Sequence, residues 1–374
     1  MTAYTENQIK ALKKDDLEYF LHPSSSIRDL EKNGPKIMTE GKGVYVTDIE
    51  GITRIDAGAG LWLNNVGYGR EELGEVAKQQ MKKLNYFQAF GGYSHPMVIE
   101  LARKIALMLP MERPKVFFTS GGSESNDTAY KLARHYWWIK GQPQKINIIS
   151  RNFAYHGVSC GALAATGLKS NREGFKPMMP GFFHVDPPYC YKCPYGKEKG
   201  QCQLECALAV EEKILELGPE TVAAFTGEPV MGTGGVFVPP AGYLPKIKEI
   251  CDRYQVLYID DEVICGFGRT GKEFAVQHEG FEVQPDIMMM AKGITSGYIP
   301  LGAVGVSDKI YSALRERGAF YHGFTYSGHP VACAVALKNL EIIEEENLVE
   351  NALKMGERFR QGDEKSAASC SRRS

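Results

Sequence analysis

The sequence predicts an α/β fold in which a mostly parallel β-sheet is covered on both faces by helices. Residues 116–119, 222–226 and 287–291 are short segments that are apolar throughout, as strands buried on both faces of a sheet are. Segments with helical spacing separate these strands, which is the pattern of parallel strands joined by crossover helices. A chain of 374 residues, 43% of them hydrophobic, is long enough to bury a large core.

The N-terminal part of the chain differs from this alternating pattern. Residues 1–16 are polar and mixed in charge, so they predict a surface helix rather than a secretory signal. Residues 43–48 and 53–56 predict two short strands, and Glu50-Gly51 between them is a hairpin signal. We therefore expect residues 17–60 to precede the main sheet as a separate segment.

Helices and strands alternate from residue 70 onward. Apolar residues recur at helical spacing over 71–84, 97–109, 124–138, 206–217 and 243–254. Apolar strands are predicted over 116–119, 146–150, 222–226, 256–260 and 287–291. Near the end, residues 331–360 predict a helical stretch, whereas residues 362–374 have no apolar period and predict a polar, disordered tail.

Charge and cysteine content exclude several classes of protein. Lys and Arg number 44 against 45 Asp and Glu, so the chain has no net field to hold nucleic acid or an anionic membrane. It also lacks an apolar run of about 18 residues, the length that a membrane span needs. Nine cysteines are an odd number, which favours reduced thiols in a cytoplasmic enzyme over a disulfide framework.

The segment 119–127 (TSGGSESND) lies between a predicted strand and a predicted helix. Its glycines let the backbone approach an anion closely, and the free N–H groups of a helix N-terminus attract negative charge. The segment is therefore a candidate phosphate-binding loop. The alternative is an ordinary serine cap after a glycine turn.

Polar residues also follow three of the predicted strands. Tyr155 comes shortly after one strand and can either stack on a planar ligand or lie half-buried in the fold. The three acids 260–262 end a buried strand, where carboxylates need a cationic partner, a capping role, a metal or a catalytic task. Lys292 follows the strand 287–291, where desolvation favours the neutral amine that condenses with aldehydes. The alternative for Lys292 is a side chain that extends into solvent.

Two further patterns are weaker. Residues 266–271 (GFGRTG) match Gly-x-Gly-x-x-Gly, but no strand leads directly into the first glycine, so we predict a loop. This match is the only support for the alternative that the chain is a nicotinamide-dependent oxidoreductase. In the inserted loop 187–206, Cys190, Cys193, Cys202 and Cys206 form two close pairs, as a zinc or iron–sulfur site would. Their spacing is loose for a known zinc finger, so thiols without a ligand are the favoured interpretation.

Together these motifs resemble those of class III aminotransferases, the ω-amino acid group of enzymes that use pyridoxal 5'-phosphate (PLP). The match runs from about Phe20 to Arg360, and its most specific stretches are residues 57–70, 116–138, 256–271, 285–300 and 322–330. The resemblance implies PLP fold type I, an α/β fold. In this fold a mostly parallel seven-stranded sheet is flanked by helices and accompanied by a smaller α+β domain.

The resemblance also implies roles for individual residues. Lys292 would hold PLP as an internal aldimine, and Asp261 would keep the pyridinium nitrogen protonated; these two are the predicted catalytic residues. The other predicted cofactor-binding residues are Gly122 and Ser123 at the phosphate, Tyr155 and Val263 on the two ring faces, Glu228 as a supporting acid, and Thr325, which would reach the phosphate of the partner subunit's cofactor. Trp62, Phe90 and Tyr155 would line the pocket of the donor substrate. No metal is implied in this site.

The implied reaction is transamination with ping-pong kinetics. An ω-amine or ω-amino acid such as putrescine, β-alanine or taurine would be the donor, and pyruvate the 2-oxo acid acceptor. The resemblance implies a cytoplasmic homodimer with shared active sites, a tetramer being the alternative, with no nucleic-acid or membrane partner. A PLP-dependent decarboxylase or racemase on the same fold remains an alternative function.

The resemblance further implies domain boundaries. Residues 1–60 would belong to the small domain, 61–327 would form the large PLP-binding domain, 328–361 would begin a C-terminal small domain, and 362–374 would be the polar tail. Family members continue past residue 360 into a domain whose arginine grips substrate carboxylates. We therefore expect that small domain to be incomplete and the chain to be truncated, and a catalytically impaired paralogue is a further alternative.

Overall fold

A seven-stranded β-sheet is the centre of the computed structural model of this protein, which describes residues 4–198 and 200–371. The described strands are β1 Met38–Lys42, β2 Tyr45–Asp48, β3 Thr53–Ile55, β4 Lys115–Thr119, β5 Asn147–Arg151, β6 Phe182–Val185, β7 Val222–Gly227, β8 Leu257–Asp261, β9 Ile287–Met290 and β10 Gly302–Val306. The order across the large sheet is β4-β10-β9-β8-β7-β5-β6. Strands β5 to β9 pair in parallel, and β10 is antiparallel to both of its neighbours. The predicted α/β fold with a mostly parallel seven-stranded sheet is confirmed.

Helices cover both faces of this sheet. The described helices are α1 Glu6–Tyr19, α2 Ile27–Asn33, α3 Ala59–Trp62, α4 Glu71–Leu84, α5 Pro96–Met108, α6 Gly122–Ile139, α7 Cys160–Ala165, α8 Lys169–Arg172, α9 Glu205–Leu217, α10 Tyr243–Arg253, α11 Asp308–Arg317, α12 Pro330–Glu345 and α13 Leu348–Ser371. Among them, no helix combines the length and the apolar character that a membrane span requires.

The core is divided by the sheet into two apolar clusters. Successive side chains of a strand point to opposite faces, so Leu257 and Ile259 join one cluster and Tyr258 joins the other. Helices α6 and α11 contribute to the cluster with Leu257, whereas α5, α9, α10 and α12 contribute to the cluster with Tyr258. Strands β7, β8 and β9 are buried along their whole length, which explains why they read as continuous apolar runs in the sequence.

A separate three-stranded antiparallel sheet, β1-β2-β3, contains the predicted hairpin. Strands β2 and β3 pair with Tyr45 opposite Ile55, and Gly51 in the connecting turn has a φ of 82°. Helix α1 buries none of its residues, as expected for a surface helix.

The C-terminal helical region differs from the prediction. Instead of one helical stretch over 331–360, α12 ends at Glu345 and α13 starts at Leu348, because Asn347 adopts a left-handed φ of 50° that no α-helix contains. The helical backbone then continues to Ser371, past Gly362, where the sequence predicted a disordered tail. Residues 372–374 lie outside the described part of the chain.

Strand β10 was not predicted from the sequence. Its sequence, GAVGV, is short and glycine-rich, which is unfavourable for a strand on propensity alone. The glycines are needed for close packing, because a Cβ on Gly305 would lie 2.6 Å from a methyl of Leu109 and one on Gly302 would lie 2.4 Å from Thr119 Oγ1. Close packing therefore requires the same glycines that give β10 a low strand propensity.

Candidate active site

The carboxyl ends of three neighbouring parallel strands meet at one edge of the sheet. Glu228 directly follows β7, Asp261 ends β8, and Lys292 comes two residues after β9. Because β8 lies between β7 and β9, the three side chains face one cavity, as ligand sites of open α/β sheets do. This cavity has a volume of about 150 Å³, and its walls are formed by Leu61, Gly122, Ser123, Asn126, Tyr155, His156, Gly157, Glu228, Asp261, Val263, Ile264 and Lys292.

The start of α6 forms one wall of the cavity. Gly122 is the first residue of this 18-residue helix, whose unpaired N–H groups and dipole favour a bound anion. A Cβ on Gly122 would lie 2.9 Å from Cγ1 of Val263, so only glycine lets the helix begin this close to the cavity wall. Ser123 Oγ accepts a hydrogen bond from the backbone N–H of Val158 at 3.1 Å. Gly157, with a φ of 128°, lets the loop close over Ser123.

Asp261 is buried and held by three donors. Its Oδ2 accepts from Asn126 Nδ2 at 3.1 Å and lies 2.6 Å from His156 Nδ1, while its Oδ1 accepts from the backbone N–H of Val263 at 3.1 Å. Tyr130 donates to Asn126 Oδ1 at 2.8 Å, which turns the amide so that its N–H₂ faces Asp261. Donors on both oxygens fix the orientation of the carboxylate.

Lys292 is the amine of the site. It adopts a left-handed φ of 49° two residues after the buried strand β9, an uncommon conformation for a residue with a side chain. Burial lowers the pKa of Lys292, and the negative charges of Asp261 and Glu228 oppose that change. A lowered pKa increases the fraction of neutral amine, which is the nucleophilic form. The ring of Trp62 lies 5.6 Å from Nζ, so this predicted residue is near the amine.

Glu228 is buried with one oxygen unused. Its Oε2 accepts from the backbone N–H of Tyr155 at 3.4 Å, but its buried Oε1 has no partner among the described residues. Arg151 holds the backbone carbonyl of Glu228 at 2.6 Å. Burial raises the pKa of Glu228 to about 7, so a protonated carboxyl is available near neutral pH. An unsatisfied buried acid at a cavity wall indicates a polar ligand that completes its hydrogen bonds.

These groups fit PLP. An aromatic aldehyde that carries a phosphate needs an amine, an anion site, a carboxylate for its ring nitrogen and flat walls for its ring. Lys292, the start of α6 and Asp261 supply the first three, and Tyr155 and Val263 both lie in the cavity wall. The unused Oε1 of Glu228 is available for a further polar contact.

The structure does not bring Phe90 and Thr325 to this cavity within one chain. Thr325 is exposed, and its backbone carbonyl accepts from the hydroxyl of Tyr86 at 2.8 Å. Phe90 is also exposed and lies beside Gly323, where a Cβ would be 2.8 Å from its ring. The roles expected for both residues stay predictions.

Five residues of the cavity wall were missed from the sequence: Leu61, Asn126, His156, Gly157 and Ile264. Helical spacing could have found Asn126, because it lies four residues after Gly122 and so on the same face of α6. His156 and Gly157 adjoin the predicted Tyr155, but the sequence gives no direction for a loop side chain. Leu61 lies where the backbone departs from helical geometry at Gly60 and Leu61, and no periodic pattern in the sequence marks such a bend.

Both of the weaker sequence patterns lie outside this cavity. Residues 266–271 form a loop, as predicted, in which Arg269 donates to Asn65 and Gly271 packs against Leu353 of α13.

The four cysteines of the 187–206 loop line a second, small cavity. Within residues 4–198 and 200–371, however, no group of three or more His, Cys, Asp or Glu side chains is arranged to hold a metal ion. Burial raises the pKa of Cys206 to about 12, which disfavours the thiolate that a metal requires.

Comparison with known proteins gives independent evidence about this site. The family model described as aminotransferase class III matches residues 28–371. The chain is 48% identical over 341 residues to a putrescine–pyruvate aminotransferase of Pseudomonas aeruginosa, an alignment that covers 91% of this chain and 74% of that enzyme.

Solved structures of similar proteins superpose closely on this chain. A transaminase from a marine Virgibacillus bacterium superposes with a TM-score of 0.91 at 48% identity, covering 96% of this chain and 79% of that one. An ω-transaminase of Pseudomonas jessenii in complex with PMP, the amino form of PLP, superposes with a TM-score of 0.90 at 44% identity, covering 94% and 78%.

Proposed function

Since this chain belongs to the class III aminotransferases, we propose that it transfers the amino group of an ω-amine or ω-amino acid, putrescine being the first candidate, to pyruvate. The family establishes that the chain is an aminotransferase that uses PLP, an amine donor and an oxo acid acceptor. One observation carries the assignment of the site. The half-buried amine of Lys292 and the buried, hydrogen-bonded carboxylate of Asp261 lie in one cavity with the start of α6. The identity to the putrescine–pyruvate enzyme supports the choice of donor and acceptor.

In this proposal Lys292 performs the covalent and proton-transfer steps. PLP, when bound, supplies an electron sink for the carbon that bears the donor's amino group. Lys292 holds the cofactor through its amine, and the lowered pKa of this amine favours its neutral form. When not bonded to the cofactor, Nζ of Lys292 would be the base that moves a proton at the donor carbon.

Asp261 keeps the cofactor's ring nitrogen protonated. A carboxylate that already accepts from Asn126, His156 and the N–H of Val263 is held in one orientation. Its negative charge stabilises a positive ring nitrogen, and this charge is what makes the bound ring a strong electron sink.

The remaining wall residues bind and orient the cofactor. The N–H groups at Gly122 and Ser123 would hold the phosphate, and Tyr155 and Val263, which line the cavity, would enclose the ring. Glu228 would offer a polar substituent of the ring its Oε1, the oxygen that has no protein partner among the described residues. Trp62, beside Lys292, forms a wall of the donor pocket.

We further propose that the chain works as a cytoplasmic homodimer with shared active sites, a tetramer being the alternative. Thr325 and Phe90 are exposed and lie away from their own chain's cavity, as expected for residues that serve the partner's site. Cys251, Cys265 and Cys333 are buried as thiols, which suits a reducing compartment. Light scattering on the purified holoenzyme measures the number of chains directly.

Steady-state kinetics with putrescine and pyruvate test the proposed reaction. We expect alanine to form only when both substrates are present, with the parallel double-reciprocal lines of ping-pong kinetics. Asp261→Asn should keep PLP bound but lower kcat by about 100- to 1000-fold. The control is Asp252→Asn, which changes an exposed acid of α10 that pairs with Lys248. Release of CO₂ without an acceptor, or an Asp261→Asn variant as active as the control, would contradict the proposal.

A further inference from the structure

The segment 56–62, which contains α3, brings Trp62 to the amine of the site through a strained backbone. Ala59, Gly60 and Trp62 adopt left-handed φ values of 48°, 69° and 56°. We propose that Asp56 is a positioning residue: by binding this segment it holds Trp62 beside the reactive lysine and so sets the affinity for the amine donor. This inference rests on the proposed role of Trp62 as a wall of the donor pocket.

The carboxylate of Asp56 accepts three hydrogen bonds. Oδ1 accepts from the backbone N–H of Gly58 at 3.2 Å, and Oδ2 accepts from the N–H of Gly60 at 2.5 Å and from the hydroxyl of Tyr68 at 2.7 Å. The hydrogen bond from Tyr68, followed by that from the N–H of Gly60, lowers the pKa of Asp56, so the carboxylate is charged near neutral pH. A charged acceptor makes stronger hydrogen bonds than a neutral one.

Backbone strain explains why this segment needs support. A left-handed conformation costs energy in any residue that has a Cβ, and both Ala59 and Trp62 have one. Gly60 between them lacks a Cβ and adopts a positive φ without that cost. A Cβ at this position would lie 3.0 Å from Cδ2 of Leu63, so there is little free space beside it. Strained backbone of this kind persists only where surrounding contacts over-determine it.

Asp56 is tied to the turn between β1 and β2. Its backbone N–H donates to the carbonyl of Val44 at 2.8 Å, one residue before β2 begins. Tyr68, the side-chain donor to Asp56, is bonded to the same turn, because its backbone exchanges hydrogen bonds of 2.8 and 2.9 Å with Gly43. The carboxylate therefore connects the strained segment to this turn, and the connection fixes where the segment lies.

The segment reaches the cavity through two adjacent side chains. Leu61 forms part of the cavity wall, and the ring of Trp62 lies 5.6 Å from Lys292 Nζ. The backbone N–H of Trp62 donates to the carbonyl of Gly58 at 3.0 Å, and the N–H of Gly58 is held by Asp56. We therefore expect loss of these bonds to affect the amine donor more than the proposed phosphate site, which lies at the start of α6.

The first half-reaction of the holoenzyme tests this role. Its rate is read from the visible absorption of bound PLP after mixing with whichever of putrescine, β-alanine and taurine the wild type converts fastest. The variants are Asp56→Asn, which replaces one acceptor with a donor, Tyr68→Phe, and Ala59→Gly alone and with Asp56→Asn. Asp48→Asn is the matched control, because Asp48 also accepts from two backbone N–H groups and one side chain, all within residues 48–54. The readouts are the half-saturating donor concentration, the maximal rate and the dissociation constant of PLP.

We expect Asp56→Asn to raise the half-saturating donor concentration by about 10-fold and Tyr68→Phe by about 3-fold, with maximal rates and PLP affinities within about 3-fold of the wild type. Ala59→Gly alone should stay within about 2-fold. In the Asp56→Asn background it should recover about 3-fold of the lost donor affinity, because glycine removes strain that Asp56 no longer counteracts. The control should match the wild type. An acid that only stabilised the fold would lower the free energy of unfolding without changing the donor concentration.

Equal donor responses in Asp56→Asn and Asp48→Asn would overturn the inference, as would a loss of PLP affinity as large as the loss of donor affinity. Tyr68→Phe carries the test if Asp56→Asn does not fold. Trp62→Ala separates the two proposals. If it leaves the half-saturating concentration unchanged, the proposed role of Trp62 fails. If Trp62→Ala changes that concentration and Asp56→Asn does not, only the role of Asp56 is refuted. If the wild type converts none of the three donors, the proposed function fails and this inference with it.

Discussion

Gly122→Ala tests whether the start of α6 must lie as close to the cavity wall as the structure places it. The added Cβ would lie 2.9 Å from Cγ1 and 3.3 Å from Cγ2 of Val263. Carbon atoms prefer a separation of about 3.5–4.0 Å, so one side must move by roughly half an ångström or more. Val263 is β-branched and has few rotamers available, so the shift moves either its whole side chain into the cavity or the helix start away from it.

The expected cost follows from measurements on overpacked sites. Inserting a methyl into a well-packed site costs about 1–3 kcal/mol. If that cost appears in cofactor binding, the dissociation constant of PLP rises by about 5- to 150-fold. Gly121→Ala is the matched control, because its Cβ would meet no atom within 4 Å and its φ of 175° suits any residue. We expect the control to bind PLP within about 2-fold of the wild type.

The assay is a fluorescence titration of the cofactor-free variants with PLP, after circular dichroism has shown that both are folded. Wild-type affinity in Gly122→Ala would refute the reasoning. An equal loss in both variants would also refute it, because the clash with Val263 exists only at residue 122.

Two further predictions concern stability. Burial raises the pKa of Glu228 from 4.5 to about 7, so the native state holds a proton that the unfolded chain has released. The free energy of unfolding therefore falls as pH rises through this interval, by roughly 3 kcal/mol at most from this group. Glu228→Gln should make the urea midpoint of the cofactor-free protein less dependent on pH between about 5 and 8, and an unchanged dependence would contradict the assignment. Glu346→Gln breaks the bidentate pair with Arg70, whose contacts are 2.6 and 2.7 Å, yet we expect less than about 1 kcal/mol in urea unfolding, since Glu346 is 43% exposed. A loss above about 2 kcal/mol would show that this pair is not a surface contact.

The parts of the site at strand ends could be predicted from the sequence. Parallel strands place their carboxyl ends at one edge, so acids and a lysine that directly follow apolar strands must lie near one another. Asp261 and Lys292 were predicted on this ground, whereas Glu228 was expected only from the family resemblance; the structure brings all three to one cavity. The position of Gly122 and Ser123 could be predicted equally well, because a strand, a glycine turn and a helix start follow one another in the sequence.

The parts that depend on loop paths could not be predicted. His156 lies in a loop, and its contact with Asp261 spans 105 residues of chain. The antiparallel β10 could not be recognised in the sequence, because close packing requires glycines that lower its strand propensity. The break between α12 and α13 depends on the single left-handed residue Asn347. These features arise from tertiary packing, which leaves no periodic pattern in the sequence.

The central claim is that Lys292 carries the cofactor, and trapping the covalent link tests it most directly. The purified holoenzyme is reduced with borohydride, digested and analysed by mass spectrometry. We predict the reduced cofactor's mass on the peptide that contains Lys292, and a Lys292→Ala protein should carry no such label. Label on a different lysine, or a labelled Lys292→Ala protein, would contradict the account.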